Sequence, residues 1–260
     1  MATWIFLRGL TREQRHWGHF IDTFRRTLPS ADVVTLDLPG NGDLNRQISP
    51  TDVRQLARFA HERSAGIGLS PPYNLLAMSL GAMVAVSWAD AYPQDIARCV
   101  LINTSMRPFS PFHHRLRPHT YWPLLRLALT VRDPRRHASA ILQLTSRHHA
   151  NDPAIVDEWS RIHDDHPVST RNAMRQLIAA ARFHAPPRKP AAEMLLLAAA
   201  GDMLVNPACS AALAAAWDCP LRQHPTAGHD LPLDDGEWVA TQVADWLAPA
   251  NGTARKRIKT

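Results

Sequence analysis

Five apolar runs in this 260-residue chain, Trp4–Leu7, Val33–Leu36, Leu75–Ala77, Val100–Ile102 and Leu195–Ala198, are continuous rather than alternating. Successive strand side chains point to opposite faces, so a strand with one wet face must alternate apolar with polar residues. A strand apolar at every position has both faces covered, which is the condition of a parallel sheet flanked by helices. Helical patterns fall between the runs, at Trp17–Leu28, Pro50–Ser64, Leu80–Tyr92, Pro207–Trp217 and Glu237–Leu247, and Leu221–His224 reads as a sixth strand. Strand alternating with helix implies right-handed crossovers, hence an α/β class and a mostly parallel, doubly wound sheet of about six strands. Functional loops of such a sheet gather at the carboxyl ends of its strands.

One of those ends is a serine. Tyr73–Met78 runs into Ser79, and a helix-forming stretch follows directly. A serine at a tight strand-to-helix turn stands above the sheet edge, at the positive end of the helix. The positions two before and two after it are Ala77 and Gly81, small as so sharp a turn requires. Downstream, Met194–Ala198 carries Asp202 just past its end, and Gly228-His229-Asp230 sets a histidine ahead of Trp238–Leu247. A serine hydroxyl is a poor nucleophile until an imidazole takes its proton. A buried carboxylate fixes the imidazole tautomer and stabilises its charged form.

With these residues in the order Ser79, Asp202, His229, the chain resembles the α/β-hydrolase family, in its small cap-bearing serine-hydrolase form, over nearly its whole length. Trp4–Leu10 resembles the family's first core strand and His-Gly turn, Leu36–Gly42 its D-x-P-G-x-G loop, and Cys99–Ser105 the strand leading into the cap. The resemblance implies Ser79 as nucleophile, His229 as base and Asp202 as its orienting acid. Leu80 and Leu10 then supply the backbone N–H groups of the oxyanion hole. It also implies a small acyl ester as substrate and no cofactor. Where the family has His-Gly, this chain has Arg8-Gly9. Backbone donors survive that change, and Arg8 is expected to pair with an acid such as Asp37.

Between Met106 and Pro190 the alternation stops. Helical stretches at Tyr121–Val131, Ala138–His148, Ala154–His163 and Thr170–Phe183 follow one another with prolines between them. The expected organisation is a hydrolase core from residues 1–105 and 191–248, a helical cap over 106–190, and a basic, disordered tail over 249–260. Residues 106–190 hold fourteen Lys/Arg against six Asp/Glu, a surplus of eight, and the tail adds four more. The whole chain carries +6, so the remainder is net negative by six. A basic cap is either a solvated face or a receiver of anions. Within the family, carboxylesterases acting on pimeloyl-carrier-protein methyl ester meet an acidic acyl carrier protein through cap arginines. That resemblance offers Arg115, Arg135 and Arg136, with Arg107, Arg117 and Arg147, as carrier contacts. Trp17 is read as a core anchor first and as a substrate contact second.

The three cysteines show no paired spacing and suit a reducing compartment. Met1-Ala2-Thr3 runs into a strand without a basic leader, and no apolar stretch is long enough to span a bilayer, so a cytoplasmic monomer or homodimer is expected. His113-His114 and His148-His149 lack the spacing of a zinc set, so no metal is expected. No nucleic-acid module is recognised. Two alternatives to an esterase stay open: the resemblance also allows a lyase, since relatives in menaquinone synthesis use a similar triad for proton abstraction, and the fold allows a non-catalytic binding protein.

Overall fold

The computed structural model describes residues 2–130 and 133–248. Strands β1 (Ala2–Leu7), β2 (Ala31–Leu36), β3 (Tyr73–Met78), β4 (Ile96–Ile102), β5 (Glu193–Ala199) and β6 (Leu221–His224) form one sheet, ordered β2-β1-β3-β4-β5-β6. All the pairings are parallel; Ile5, for example, lies beside Val34 on one side and Leu75 on the other. The chain steps from β1 out to β2, then returns past β1 to β3, so the order reverses between β1 and β3. A cleft opens at the carboxyl ends of strands at such a switch point. Here those ends are Leu7-Arg8 and Met78-Ser79.

Helices α1 (Phe20–Thr27), α2 (Val53–Gly66) and α3 (Leu80–Ala91) alternate with the first four strands. After β4 come α4 (Phe112–Arg115), α5 (Tyr121–Thr130), α6 (Pro134–Thr145), α7 (Pro153–Asp165) and α8 (Thr170–Arg182). Helix α9 (Ala208–Trp217) follows β5, while α10 (Leu231–Asp234) and α11 (Gly236–Leu247) follow β6. Along each strand successive residues enter different cores. Ile5, Leu7, Leu75, Leu101 and Leu196 pack with α2, α3 and α9, whereas Trp4, Phe6, Leu76, Val100 and Leu195 pack with α1 and α11. This is why the strands read as unbroken apolar runs. Each fully buried side chain of this size stabilises the fold by about 1.5–3 kcal/mol.

The expected element bounds shift where caps decide them. The pattern at Trp17–Leu28 becomes a 3-10 turn, Gln14–Trp17, followed by α1. Glu13 and His16 close a reciprocal capping box at the start of that turn, and Gly18, at φ 49°, breaks it from the helix. The stretch read as Ala138–His148 is α6, which starts earlier because Asp133 caps it ahead of Pro134. The end of the Tyr121–Val131 pattern and the 249–260 tail lie outside the described residues.

Trp17 is an anchor of the second core. It is 3% exposed, with its ring 5.1 Å from Phe6 and 5.7 Å from Phe20. Helices α6 and α7 pack on each other through Ala138, Leu142, Val156, Trp159 and Ile162, with Leu233 of the histidine loop against them. No helix among the described residues is long and apolar enough to cross a membrane.

Candidate active site

Ser79 joins β3 to α3 with φ 54° and ψ −115°, a backbone conformation that residues with a Cβ seldom adopt. Strain of this kind persists only where the surroundings over-determine it. The surroundings here are the end of β1. At Gly81 a Cβ would collide with the carbonyl oxygen of Leu7 and stand 2.6 Å from that of Arg8. Gly81 is therefore needed less for its closeness to Ala77 than because the first turn of α3 presses against β1. A Cβ at Gly9 would lie 3.2 Å from the Cβ of Ser79, which puts the β1 loop directly beside the hydroxyl. Leu80 is the first residue of α3, and Ser79 makes no capping bond, so the Leu80 N–H belongs to the unpaired first turn.

Asp202 and His229 meet just past the ends of β5 and β6. His229 Nδ1 is 2.7 Å from Asp202 Oδ2, and both residues are buried. The other carboxylate oxygen accepts the backbone N–H groups of Leu204 and Val205, at 2.8 and 2.9 Å. A carboxylate so held accepts a hydrogen bond from Nδ1–H, which leaves Nε2 facing away from Asp202.

Ser79 and His229 are tied to consecutive residues. Asn103, at φ 46°, donates through Nδ2 to the carbonyls of His229 (2.8 Å) and Gly228 (3.2 Å), and accepts at Oδ1 from Ala199 N–H (2.8 Å). Thr104 Oγ1 donates to the Ser79 carbonyl at 3.1 Å. The end of β4 thus holds the serine and histidine loops at one height. Among the described residues no hydrogen bond joins the Ser79 hydroxyl to His229. Contacts of this kind are often long before substrate binds. Asp234 braces the same loop, accepting from the N–H groups of Gly228 (2.6 Å) and Arg147 (2.9 Å) and from the Ser146 hydroxyl.

Arg8 does not pair with Asp37. Its guanidinium makes a two-point contact with Asp230, at 3.1 and 2.6 Å, with both side chains buried. It also lies 4.7 Å over the Trp17 ring and 3.6 Å from the sulfur of Met78. Asp37 is turned toward Gln14 N–H, and the two carboxyls diverge accordingly. Burial alone would raise Asp230, but the charge and hydrogen bonds of Arg8, helped by Arg12 and His229, hold it below the usual carboxylate range. Burial pushes Asp37 up to about 6, with Glu13 and Asp43 adding repulsion and no cation to oppose it.

Arg115 is an internal strut, not a surface contact: it is 8% exposed, and its two terminal nitrogens donate to the carbonyls of Ala181 and Ala180 at the end of α8. Arg117 donates to the Asp202 carbonyl at 2.8 Å. Arg135 and Arg136 are exposed on α6, Arg135 in an ion pair with Asp157. Burial pushes the Cys99 thiol far above its ordinary value, so it stays protonated and inert. No group of three or more His, Cys, Asp or Glu among the described residues could hold a metal.

A six-stranded parallel sheet with a strained serine at its switch point defines an α/β hydrolase. The model of the alpha/beta hydrolase family matches residues 4–242, and the chain belongs to that family. Its fold is similar to the enol-lactonase from Burkholderia xenovorans LB400, with TM-score 0.77 and 17% identity over 95% of this chain and 91% of that one. It is also similar to a thermophilic esterase from Thermogutta terrifontis, with TM-score 0.74 and 19% identity over 95% and 89% of the two chains. At these identities the likeness is one of fold. In sequence, the biotin biosynthesis bifunctional protein BioHC of Teredinibacter turnerae is 32% identical over 106 residues, 39% of this chain. The matched stretch spans only 17% of that longer protein.

Sequence reading missed Asn103, whose only trace was its place at the end of an apolar run, and the Arg8–Asp230 pair. The latter carried a signal, an arginine where the family has histidine, but a partner 222 positions away is invisible without the fold.

Proposed function

We propose that the protein is a serine hydrolase of carboxylic esters or thioesters. The observation that carries this reading is the 2.7 Å Asp202–His229 contact, set in loops that Asn103-Thr104 ties to the strained Ser79 turn. Ser79 Oγ attacks the acyl carbon while His229 Nε2 takes its proton. The imidazolium so formed is stabilised by Asp202, and the carbonyl oxygen becomes an oxyanion facing the N–H groups of Leu80 and Leu10. One such donor lowers the barrier by about 3 kcal/mol. His229 then returns the proton to the leaving alcohol or thiol as the C–O or C–S bond breaks. Water, deprotonated by His229, attacks the acyl-enzyme, and the acid departs with Ser79 restored. Helices α4–α8 act as the cap and shape the pocket. For carrier-linked acyl groups, a substrate class in keeping with the relative in biotin biosynthesis, the exposed Arg135 and Arg136 are the docking cations.

The test is covalent labelling with a fluorophosphonate, paired with nitrophenyl esters of rising chain length. Wild type should label and turn over, and Ser79→Ala should do neither. Labelling that persists in Ser79→Ala, or a wild type that never labels, removes the proposal. Labelling without ester turnover points to the lyase chemistry instead.

A further inference from the structure

Two amide side chains on one face of α8, Asn172 and Gln176, are buried against loops of the sheet, where most amides face water. Asn172 holds the loop after β2. It donates to the carbonyls of Asn45 (3.2 Å) and Gln47 (2.9 Å) and accepts from Ser49 N–H (3.0 Å). Gln176, one helical turn further on and 1% exposed, bridges that loop to the loop after β1. Its Oε1 accepts the Thr11 N–H at 2.8 Å, and its Nε2 donates to Asn41 Oδ1 at 2.8 Å. A backbone N–H can only donate, so the oxygen of the Gln176 amide must face Thr11 and its nitrogen must face Asn41.

Thr11 needs that bond. Its φ is 57°, a left-handed conformation that is a marked outlier for a β-branched residue. It takes the third position of the turn Gly9-Leu10-Thr11-Arg12, which the Arg12 N–H closes on the Gly9 carbonyl at 3.2 Å. A positive φ there is ordinarily given to Gly or Asn. Such strain persists only where other contacts hold it. Two do so: Gln176 on the Thr11 N–H, and the Thr11 hydroxyl on the Leu10 carbonyl at 2.7 Å. The hydroxyl contact is internal to the turn, whereas Gln176 ties the turn to another element.

The same turn carries the Leu10 N–H. Gly9, just before it, lies where a Cβ would come 3.2 Å from the Cβ of Ser79, so the turn begins against the nucleophile. The two donors after Leu10 are both engaged, Thr11 N–H by Gln176 and Arg12 N–H by Gly9. The Leu10 N–H itself has no acceptor among the described residues. It is the donor that the turn leaves open beside the serine.

We infer that Gln176 is a positioning residue for the oxyanion hole: by holding the Thr11 N–H it fixes the Leu10–Thr11 peptide, and with it the aim of the Leu10 N–H at the oxygen of the reacting carbonyl. This deepens the esterase reading and rests on it for Leu10 as a donor. Helix α8 is then a template for the hole as well as part of the cap. Without Gln176 the Leu10–Thr11 peptide turns over toward a negative φ at Thr11, and the residues on either side shift with it. A displacement of about 1 Å in such a site is enough to cost about 100-fold in rate.

Gln176→Met keeps the length and bulk of the side chain and removes both hydrogen bonds. With a nitrophenyl ester, kcat should fall about 10- to 100-fold while KM changes less than about threefold. Affinity for an alkyl boronic acid, whose tetrahedral adduct with Ser79 places an oxygen in the hole, should fall by a similar factor. Asn172→Ala is the comparison, since it cuts three bonds between the same helix and the loop after β2 without touching the 9–12 turn. It should lower the urea midpoint yet leave kcat and boronate affinity within about threefold of wild type. Should it not fold, Arg175→Met, which cuts the bond from α8 to the Ser49 carbonyl, takes its place. Equal losses of kcat in Gln176→Met and the comparison variant would mean that a loosened cap is the cause, and would overturn the inference. So would a folded Gln176→Met with wild-type kcat, or one whose loss lies in KM alone. If circular dichroism shows that Gln176→Met does not fold, Gln176→Asn, a methylene too short to reach both partners, is read in the same way. A wild-type protein that neither labels with a fluorophosphonate nor turns over an ester rejects the esterase reading itself, and the inference falls with it.

Discussion

The guanidinium of Arg8 and the carboxylate of Asp230 face each other fork to fork, at 3.1 and 2.6 Å, out of contact with water. Arg8 directly precedes Gly9, which touches Ser79, and Asp230 directly follows His229. The ion pair therefore ties the loop beside Ser79 to the loop of His229. Removing one partner strands a buried charge, so Arg8→Met or Asp230→Leu should each cost about 3–5 kcal/mol. The double change Arg8→Met/Asp230→Leu should cost clearly less than the two single losses added together. Urea unfolding of the four proteins measures this. Strict additivity would mean the pair does not act as a unit.

Asp202→Asn keeps the shape of the side chain but lets His229 hold the wrong tautomer. Turnover of a nitrophenyl ester should fall about 10³- to 10⁴-fold. The thermal midpoint should move little, because the oxygen facing Leu204 and Val205 remains. A loss below tenfold would show that another acid orients the imidazole.

Asn103→Ala removes three hydrogen bonds at once and leaves the Ala199 N–H buried without an acceptor. It also places alanine at φ 46°, where asparagine is tolerated better. The expected cost is about 2–4 kcal/mol, with kcat reduced more than KM is raised, since the histidine loop loses its anchor. Unchanged kcat in a stably folded variant would separate Asn103 from the site.

Gly81→Ala tests the close approach of α3 to β1. The new methyl group meets two backbone carbonyls that cannot swing away, so a loss of about 2–3 kcal/mol in urea unfolding is expected, together with loss of fluorophosphonate labelling. Gly9→Ala meets only the Ser79 side chain at 3.2 Å and should harm labelling more than stability.

Asp37 gives a pH signature of its own. In the folded chain its carboxyl titrates at about 6, against an ordinary 3.8, so between those values the folded state holds a proton that the unfolded state has released. Stability therefore declines as pH rises through that window and is level above it. In Asp37→Asn this decline disappears, so the variant should gain on wild type from pH 4 to pH 6 and keep a constant lead to pH 8. A constant difference in urea midpoint across the whole range would contradict the raised value.

The unbroken apolar runs by themselves determined a parallel sheet buried on both faces, because only such a sheet can absorb a strand with no polar side. The strand, serine and helix of residues 73–91 likewise announced their turn, although the close approach that Gly81 permits is to β1 and belongs to the fold. Asp202 and His229 could be picked out by chain order, but their 2.7 Å contact belongs to the fold. Which charges pair was decided only in three dimensions. Arg8 passes over Asp37, 29 positions away, for Asp230, 222 away, because the loop after β6 reaches back across the sheet to the ends of β4 and β1. Local pattern records which face of an element is dry, whereas a buried ion pair depends on where distant loops converge.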